Sequence, residues 1–197
     1  YIFLQFLFLL FPFLRNSLDL RLPNAVGMLY IGLDPGLLAL LRHRELAGAS
    51  TASGLMVAGG RGGYNPRRNL VKLTGGLALI RGCIIDQHFR ERNRLYRLTS
   101  AVSSNPQFIG LGIDEDTALI ISEDRYCRVM GNNSVTILNG GSITHSGYTE
   151  GKAQDAIPIF GMNMNVVTPG YGYDLITRTP LMKSDIDSPQ AIELEAV

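Results

Sequence analysis

The sequence predicts an α/β fold in which a sheet carries an antiparallel extension. The first observation is an apolar run at 76–85, typical of a buried strand, followed at 89–98 by apolar residues at helical spacing. The second is a series of short β-rich runs separated by Asp, Gly and Asn, at 108–113, 117–122, 126–130 and 134–138. A strand and a helix followed by closely spaced strands indicate a βα unit that continues into hairpins.

The remaining segments give weaker patterns. Residues 26–41 contain an apolar run, an Asp-Pro-Gly turn and leucines at helical spacing. Residues 47–53 are all small, as in a tight turn or a helix start packed on a sheet. Residues 59–69 are glycine-rich and basic, which predicts a flexible loop. Residues 184–197 are polar and acidic without periodicity, so we expect a frayed tail.

Composition limits the class of protein. The chain has 197 residues, enough for one domain, and its 46% hydrophobic and 18% charged residues exclude disorder for most of its length. A formal net charge of +1 gives no indication of a nucleic-acid partner. Two cysteines cannot form a disulfide framework, and no Cys or His pair has metal-ligand spacing. We therefore expect a reducing, cytoplasmic location and no structural metal.

The N-terminus differs from the rest of the chain. Residues 1–14 are apolar except for one Gln, but a membrane-spanning helix needs roughly 20 apolar residues. Three interpretations stay open: a truncated signal or anchor, a buried element, or sequence foreign to the domain. We favour the third and expect no membrane contact. The predicted organisation is a divergent hydrophobic segment at 1–44, an α/β domain at 45–183 and a polar tail at 184–197.

Two positions follow strand-like runs and carry side chains suited to catalysis. His88 comes after an apolar strand, where ligands of open α/β sheets bind; the alternative is a histidine that only caps a helix. Glu115 is one of three consecutive carboxylates after another strand. These acids form a solvated turn, or Glu115 is the acid that orients a catalytic imidazole. For a nucleophile the small-residue turn offers Ser50 and Ser53.

Four arginines follow His88: Arg90, Arg92, Arg94 and Arg97. They form a solvated helix face paired with Glu91, or they bind the carboxylates of a substrate. On a continuous helix, Arg92 and Arg94 would point about 200° apart. Arg92, one turn beyond His88, would then be the main clamp. By the same reasoning Arg92→Lys should lower kcat/KM, whereas Arg97→Lys should leave it nearly unchanged.

Two motifs carry a resemblance to a known family. The segments GCIIDQHFRERNRLYRL at 82–98 and NPQFIGLGIDEDTALII at 105–121 resemble cyanophycinase, of the serine peptidase-like family that includes dipeptidase E. As a pair with this spacing they are highly specific. The resemblance extends over about residues 45–180.

The resemblance implies a function and a set of site residues. It implies hydrolysis of β-Asp-Arg units from cyanophycin or a related β-aspartyl peptide by a flavodoxin-like, class I glutamine amidotransferase-like fold without a cofactor, often as a homodimer. By carry-over His88 is the general base, Glu115 its orienting acid and Ser50 the nucleophile. The residues implied to contact the substrate's Asp and Arg groups are Asp86, Gln87, Arg92 and Arg94.

The chain departs from the family at the nucleophile. The family's turn reads Gly-Thr-Ser-Ala-Gly-Ala, whereas residues 48–53 read GASTAS. One alignment pairs Ser50 with the nucleophile, and another deletes the nucleophile altogether. The family's N-terminal strands also lack a counterpart, so that part of the fold is expected to be incomplete. The alternative functions are an inactive relative that binds Asp/Arg-rich peptides through Arg92, Arg94 and loop 61–68, and a structural or membrane-associated protein.

Overall fold

The computed structural model describes residues 28–31, 52–122 and 124–186; for 28–31 only the backbone is considered. The expectations for residues 1–14, for Ser50 and for most of the tail lie outside these ranges. Within them the chain is a mixed α/β structure in which two sheets contribute to one apolar core. The α/β class with antiparallel pairing is therefore confirmed.

A four-stranded sheet carries the two motifs. Its strands lie in the order β11 (Asn163–Val167), β8 (Val135–Asn139), β5 (Ile109–Ile113) and β4 (Cys83–Gln87). β4 and β5 are parallel, whereas β5–β8 and β8–β11 are antiparallel. Cys83 is paired with Ile109 and Gln87 with Ile113, so the two strands end side by side. The residues that follow them are thereby brought to one edge of the sheet.

Helix α1 (Leu95–Ser104) makes the connection from β4 to β5 and covers one face of this sheet. Leu98, Ala101 and Val102 are fully buried against a cluster that includes Ile84. The fit is close at Gly110 of β5, where an added Cβ would lie 2.7 Å from a methyl of Val102. Such an approach requires glycine at this position.

The opposite face packs against a five-stranded antiparallel sheet. Its order is β1 (Met28–Ile31), β6 (Thr117–Ser122), β7 (Tyr126–Gly131), β12 (Gly172–Asp174) and β13 (Thr179–Leu181). Side chains of both sheets, such as Ile85 and Leu111 on one side and Leu119 and Tyr173 on the other, form one buried cluster. Alternation along β4 explains this division, because Ile84 faces the helix and Ile85 faces the second sheet.

The smaller elements lie around these layers. A hairpin pairs β2 (Leu55–Gly60) with β3 (Val71–Gly75), and β9 (His145–Ser146) pairs with β10 (Ile159–Phe160). Short 3-10 turns occupy Gly140–Ser142 and Gly147–Thr149, and a one-turn helix α2 occupies Lys183–Ile186. No helix among the described residues has the length and apolar character needed to cross a membrane.

Several expected boundaries are wrong. The helix expected at 89–98 begins at Leu95, because residues 88–94 form tight turns that contain two left-handed residues, His88 and Asn93. The first two residues of the expected loop at 59–69 belong to β2. Helix α2 overlaps the start of the expected tail. Strand β1 comes from the segment at 1–44 yet pairs with β6 of the α/β domain.

Candidate active site

His88 is the first residue after β4 and has a left-handed backbone. Its φ of 47° is uncommon for a residue with a Cβ. Two backbone hydrogen bonds fix the turn: the Phe89 amide donates to the Ile113 carbonyl at 3.1 Å, and the Arg92 amide donates to the His88 carbonyl at 3.2 Å. The first of these bonds ties the turn after β4 to the end of β5.

Glu115 lies two residues beyond β5, in a turn anchored by Asp114. The Asp114 carboxylate is buried and accepts hydrogen bonds from the Ser134 hydroxyl at 2.7 Å and from the Arg90 amide at 3.1 Å. One acid thus joins the turn after β4, the turn after β5 and the start of β8. Of the three consecutive carboxylates, Asp114 thus stabilises the turns, whereas Glu115 contacts His88.

The His88 imidazole and the Glu115 carboxylate are in direct contact. Nδ1 of His88 lies 2.8 Å from Oε1 of Glu115, and the two side chains are 30% and 47% exposed. A carboxylate can only accept, so Nδ1 donates and the neutral ring holds its proton there. Nε2 then has a free lone pair. This is the arrangement in which an acid orients a histidine that acts as a general base.

Asn133, which the sequence did not indicate, and Glu91 support the Glu115 backbone. The Asn133 amide group donates to the Glu115 carbonyl at 2.9 Å and accepts from the Arg90 guanidinium at 3.1 Å. The Glu115 amide donates to Oε2 of Glu91 at 3.3 Å. Asn133 lies in an ordinary Gly-Asn-Asn turn between β7 and β8, and no sequence pattern distinguishes it from other turn asparagines.

The sequence is similar to those of curated cyanophycinases. The chain is 37% identical to the cyanophycinase of Geminocystis herdmanii over 135 residues, covering 68% of this chain and 50% of that protein. It is 38% identical to the cyanophycinase of Trichormus variabilis over 179 residues, covering 86% of this chain and 58% of that protein. This chain is related to the cyanophycinases. It spans about half the length of the curated relatives it matches.

Two other comparisons add little to this relationship. A scan against the profiles of known protein families finds no match. A solved structure of a peptidase from an acI-B1 Actinobacterium is 22% identical, with a TM-score of 0.39, and covers 67% of this chain and 46% of that one.

In this cyanophycinase relative, Asp86 is not open to a substrate. Its carboxylate is 1% exposed and accepts from Arg97, through Nε at 2.8 Å and through a second guanidinium N–H, and from Arg94 Nη1 at 3.3 Å. Arg97 Nη1 also donates to the Gly60 carbonyl at 3.1 Å. The expectation that Asp86 contacts the substrate is therefore corrected, because two arginines of the chain occupy its oxygens.

Arg94 requires the same correction. Its side chain is 13% exposed and its Nη1 is hydrogen-bonded to Asp86 and to the Gln87 carbonyl. Burial, followed by repulsion from Arg97, lowers the pKa of this guanidinium from its usual value. A group already bound to two internal acceptors does not extend toward a ligand. Arg97, expected to tolerate Lys, is likewise buried and bound to Asp86.

Arg92 and Gln87 keep an accessible placement. Arg92 is exposed on the turn that begins at His88, and Gln87 is half-buried at the end of β4. The basic loop 61–68 lies directly against this turn, since a Cβ at Gly62 would come within 2.6 Å of the Arg92 carbonyl oxygen. Their assignment as substrate contacts stays a prediction.

The structure describes one of the two candidate nucleophiles, Ser53. Ser53 is buried, its hydroxyl donates to the Leu55 carbonyl at 2.9 Å, and it is bridged to Ile80, which precedes β4. His88 lies beyond the other end of that strand. The placement makes Ser53 a poor candidate for a nucleophile activated by His88, and Ser50 lies outside the described residues. Across the described ranges no three His, Cys, Asp or Glu side chains converge as metal ligands would.

Proposed function

We propose that this chain is a cyanophycinase-like serine hydrolase that releases β-Asp-Arg dipeptides from cyanophycin. The 2.8 Å contact between His88 Nδ1 and Glu115 Oε1 carries the proposal. It supports a catalytic pair because both side chains are partly exposed and lie beyond the ends of adjacent parallel strands. The relationship to curated cyanophycinases supports the substrate class.

In the proposed mechanism Nε2 of His88 removes the proton of the Ser50 hydroxyl as its oxygen attacks the scissile carbonyl. The imidazolium then donates this proton to the leaving amine, and the acyl-enzyme is hydrolysed by a water activated in the same way. Glu115 holds the ring in the tautomer with Nδ1 protonated and stabilises the imidazolium. Arg92 is the proposed clamp for a substrate carboxylate, with Gln87 beside it.

The finer structural assignments belong to the same proposal. The parallel β4–α1–β5 unit supports a flavodoxin-like arrangement around the site. A homodimer and a cytoplasmic location remain predictions.

The test is incubation of the purified chain with cyanophycin and detection of β-Asp-Arg by mass spectrometry. We expect product from the wild type, no detectable product from His88→Gln or Ser50→Ala, and a rate lower by about 10²–10⁴ for Glu115→Gln. Labelling with a fluorophosphonate should modify Ser50. A Ser50→Ala variant with an unchanged rate would contradict the nucleophile assignment, and an inactive wild type would contradict the function.

A second substitution tests the proposed clamp. Arg92→Lys keeps the charge but loses the bidentate geometry, so we expect kcat/KM to fall by an equivalent of about 1.5–3 kcal/mol. The exposed Arg81, before β4, provides the control: Arg81→Lys should leave kcat/KM unchanged. Equal changes of kcat/KM in the two variants would contradict the assignment of Arg92 as a substrate contact.

A further inference from the structure

We propose that Arg94 is a positioning residue that fixes the peptide preceding His88 and so directs the imidazole toward Glu115. The inference rests on the proposed function for its catalytic meaning, but the orientation itself can be measured in the free protein. It assigns to Arg94 a role other than the substrate contact expected from the sequence.

The first argument is where the Arg94 guanidinium binds. Nη1 of Arg94 donates to the Gln87 carbonyl oxygen and lies 3.3 Å from Oδ1 of Asp86. The Gln87 carbonyl belongs to the peptide plane that joins Gln87 to His88. The carbonyl carbon of that plane is one of the four atoms that define φ of His88. A donor that fixes the plane therefore restricts the angle from which the histidine side chain projects.

The second argument is that this angle needs external support. His88 has a φ of 47°, in the left-handed region that residues with a Cβ rarely adopt. Such a conformation persists where surrounding contacts hold it. The Phe89 and Arg92 amides bind on the C-terminal side of His88, and Arg94 binds on its N-terminal side. The residue is thus held from both directions.

The third argument separates Arg94 from Arg97. Arg97 contacts both carboxylate oxygens of Asp86. The buried acid would therefore keep a paired positive charge if Arg94 were removed. Two guanidinium groups face one carboxylate, and the contact that distinguishes Arg94 is the Gln87 carbonyl. Removing Arg94 should therefore preserve the ion pair that the fold requires while releasing the peptide before His88.

The experiment compares the wild type with Arg94→Met and Arg94→Lys by long-range ¹H–¹⁵N NMR of the histidine rings. His88→Gln assigns the signal among the three histidines. In the wild type we expect the tautomer with Nδ1 protonated. In Arg94→Met we expect loss of this preference. In Arg94→Lys we expect partial recovery, because the ammonium keeps a donor for the Gln87 carbonyl but lacks the planar group that Arg94 places there.

A matched control separates orientation from stability. Arg125 binds the buried Asp174 through Nε at 2.9 Å and Nη2 at 2.7 Å, in the other sheet. Arg125→Lys should weaken an ion pair of the same kind and leave the His88 tautomer unchanged. If Arg125→Lys alters the tautomer as much as Arg94→Met does, the effect is general loosening and the inference is overturned. Should Arg94→Met not fold, Arg94→Gln takes its place, because its side chain is too short to reach the Gln87 carbonyl: an unchanged tautomer preference there would overturn the inference.

Kinetics distinguish positioning from substrate binding. A positioning role predicts that Arg94→Met lowers kcat on cyanophycin by about a hundredfold with little change in KM. An Arg94 that binds substrate would raise KM and leave the NMR spectrum of the free protein unchanged, and this result would overturn the inference. If the wild type shows no hydrolysis, the proposed function fails while the NMR comparison still tests the role of Arg94.

Discussion

The Asp86–Arg97 ion pair joins the end of β4 to the first half of α1. Arg97 holds both carboxylate oxygens and also donates to the Gly60 carbonyl at 3.1 Å, so three acceptors depend on one planar guanidinium. Lysine supplies the charge without this geometry. We expect Arg97→Lys to lower the free energy of unfolding by about 1.5–3 kcal/mol, measured by urea denaturation.

The control for this prediction is Arg81→Lys, since Arg81 is exposed at the turn before β4. Its substitution should change the free energy of unfolding by less than about 0.5 kcal/mol. Equal stabilities of the two variants would mean that the buried ion pair contributes nothing beyond its charge.

For single residues, the sequence indicates which side chains belong to the candidate site better than it indicates which partners they bind. The motifs that contain His88 and Glu115 indicate that the two side chains meet, and they do so at 2.8 Å. Asp86 lies in the same motif, yet its carboxylate is directed into the protein. Burial of a single acid depends on alternation along β4 and on where α1 begins, which the local sequence does not specify.

Among the elements, the turn after β4 is held onto β5 by the Phe89 ring. A Cβ at Gly112 would lie 2.6 Å from three atoms of that ring, in a strand whose residues are all buried. Gly112→Ala must displace the ring or the strand. We expect a loss of about 1–3 kcal/mol in the free energy of unfolding, together with a change in the His88 environment, because Phe89 directly follows His88.

The matched control is Gly75→Ala in β3. Apart from Gly75 itself and its chain neighbours, no atom lies within 4 Å of an added Cβ there, so stability should change by less than about 0.5 kcal/mol. Both glycines lie in strands, which cancels most of the difference in backbone entropy. If Gly112→Ala is as stable as Gly75→Ala, the contact between Phe89 and β5 does not constrain the turn.

The start of α1 shows why a helical pattern can mislead. Residues 89–98 contain good helix formers at helical spacing, which predicts a helix from Phe89 onward. The chain instead makes turns through Asn93, whose φ is 48°, and the helix begins at Leu95. The Arg94 amide donates to the Phe89 carbonyl and the Asn93 amide to the Arg90 carbonyl. These turn contacts override local propensity, whereas the strands at 117–122 and 126–131 follow their predicted runs closely.

For the molecule as a whole, the apolar layer between the two sheets contains both cysteines. Cys83 lies in β4 and Cys127 in β7, and each is 1% exposed. Burial raises the pKa of Cys83 to about 12 and that of Cys127 well above its usual value. With the thiolate so scarce, we expect alkylation by iodoacetamide at pH 8 to be at least about a thousandfold slower in the folded protein than in guanidinium chloride. Comparable rates would show that the sheets do not pack as a closed layer.

The stability of the whole molecule should also depend on pH through Asp174, at the end of β12. Burial by itself would raise the pKa of this carboxyl. Hydrogen bonds from Arg125 and from the amides of Ile176 at 2.8 Å and Thr177 at 3.0 Å outweigh burial and hold the pKa at about 2, below the usual 3.8. The side chain is 4% exposed, so solvent screens these contacts little.

A pKa that is lower in the folded state than in the unfolded state stabilises the fold fully only above the unfolded value. The contribution of Asp174 should therefore be complete near pH 6 and be lost as the pH falls from about 4 toward 2, amounting to about 2 kcal/mol. The measurement is urea unfolding of the wild type and of Asp174→Asn across this range. Their difference in free energy of unfolding should shrink on acidification, whereas Asp155→Asn, at an exposed carboxylate, should follow the wild type. A difference between wild type and Asp174→Asn that stays constant down to pH 2 would mean that the Asp174 carboxylate does not gain its hydrogen bonds on folding.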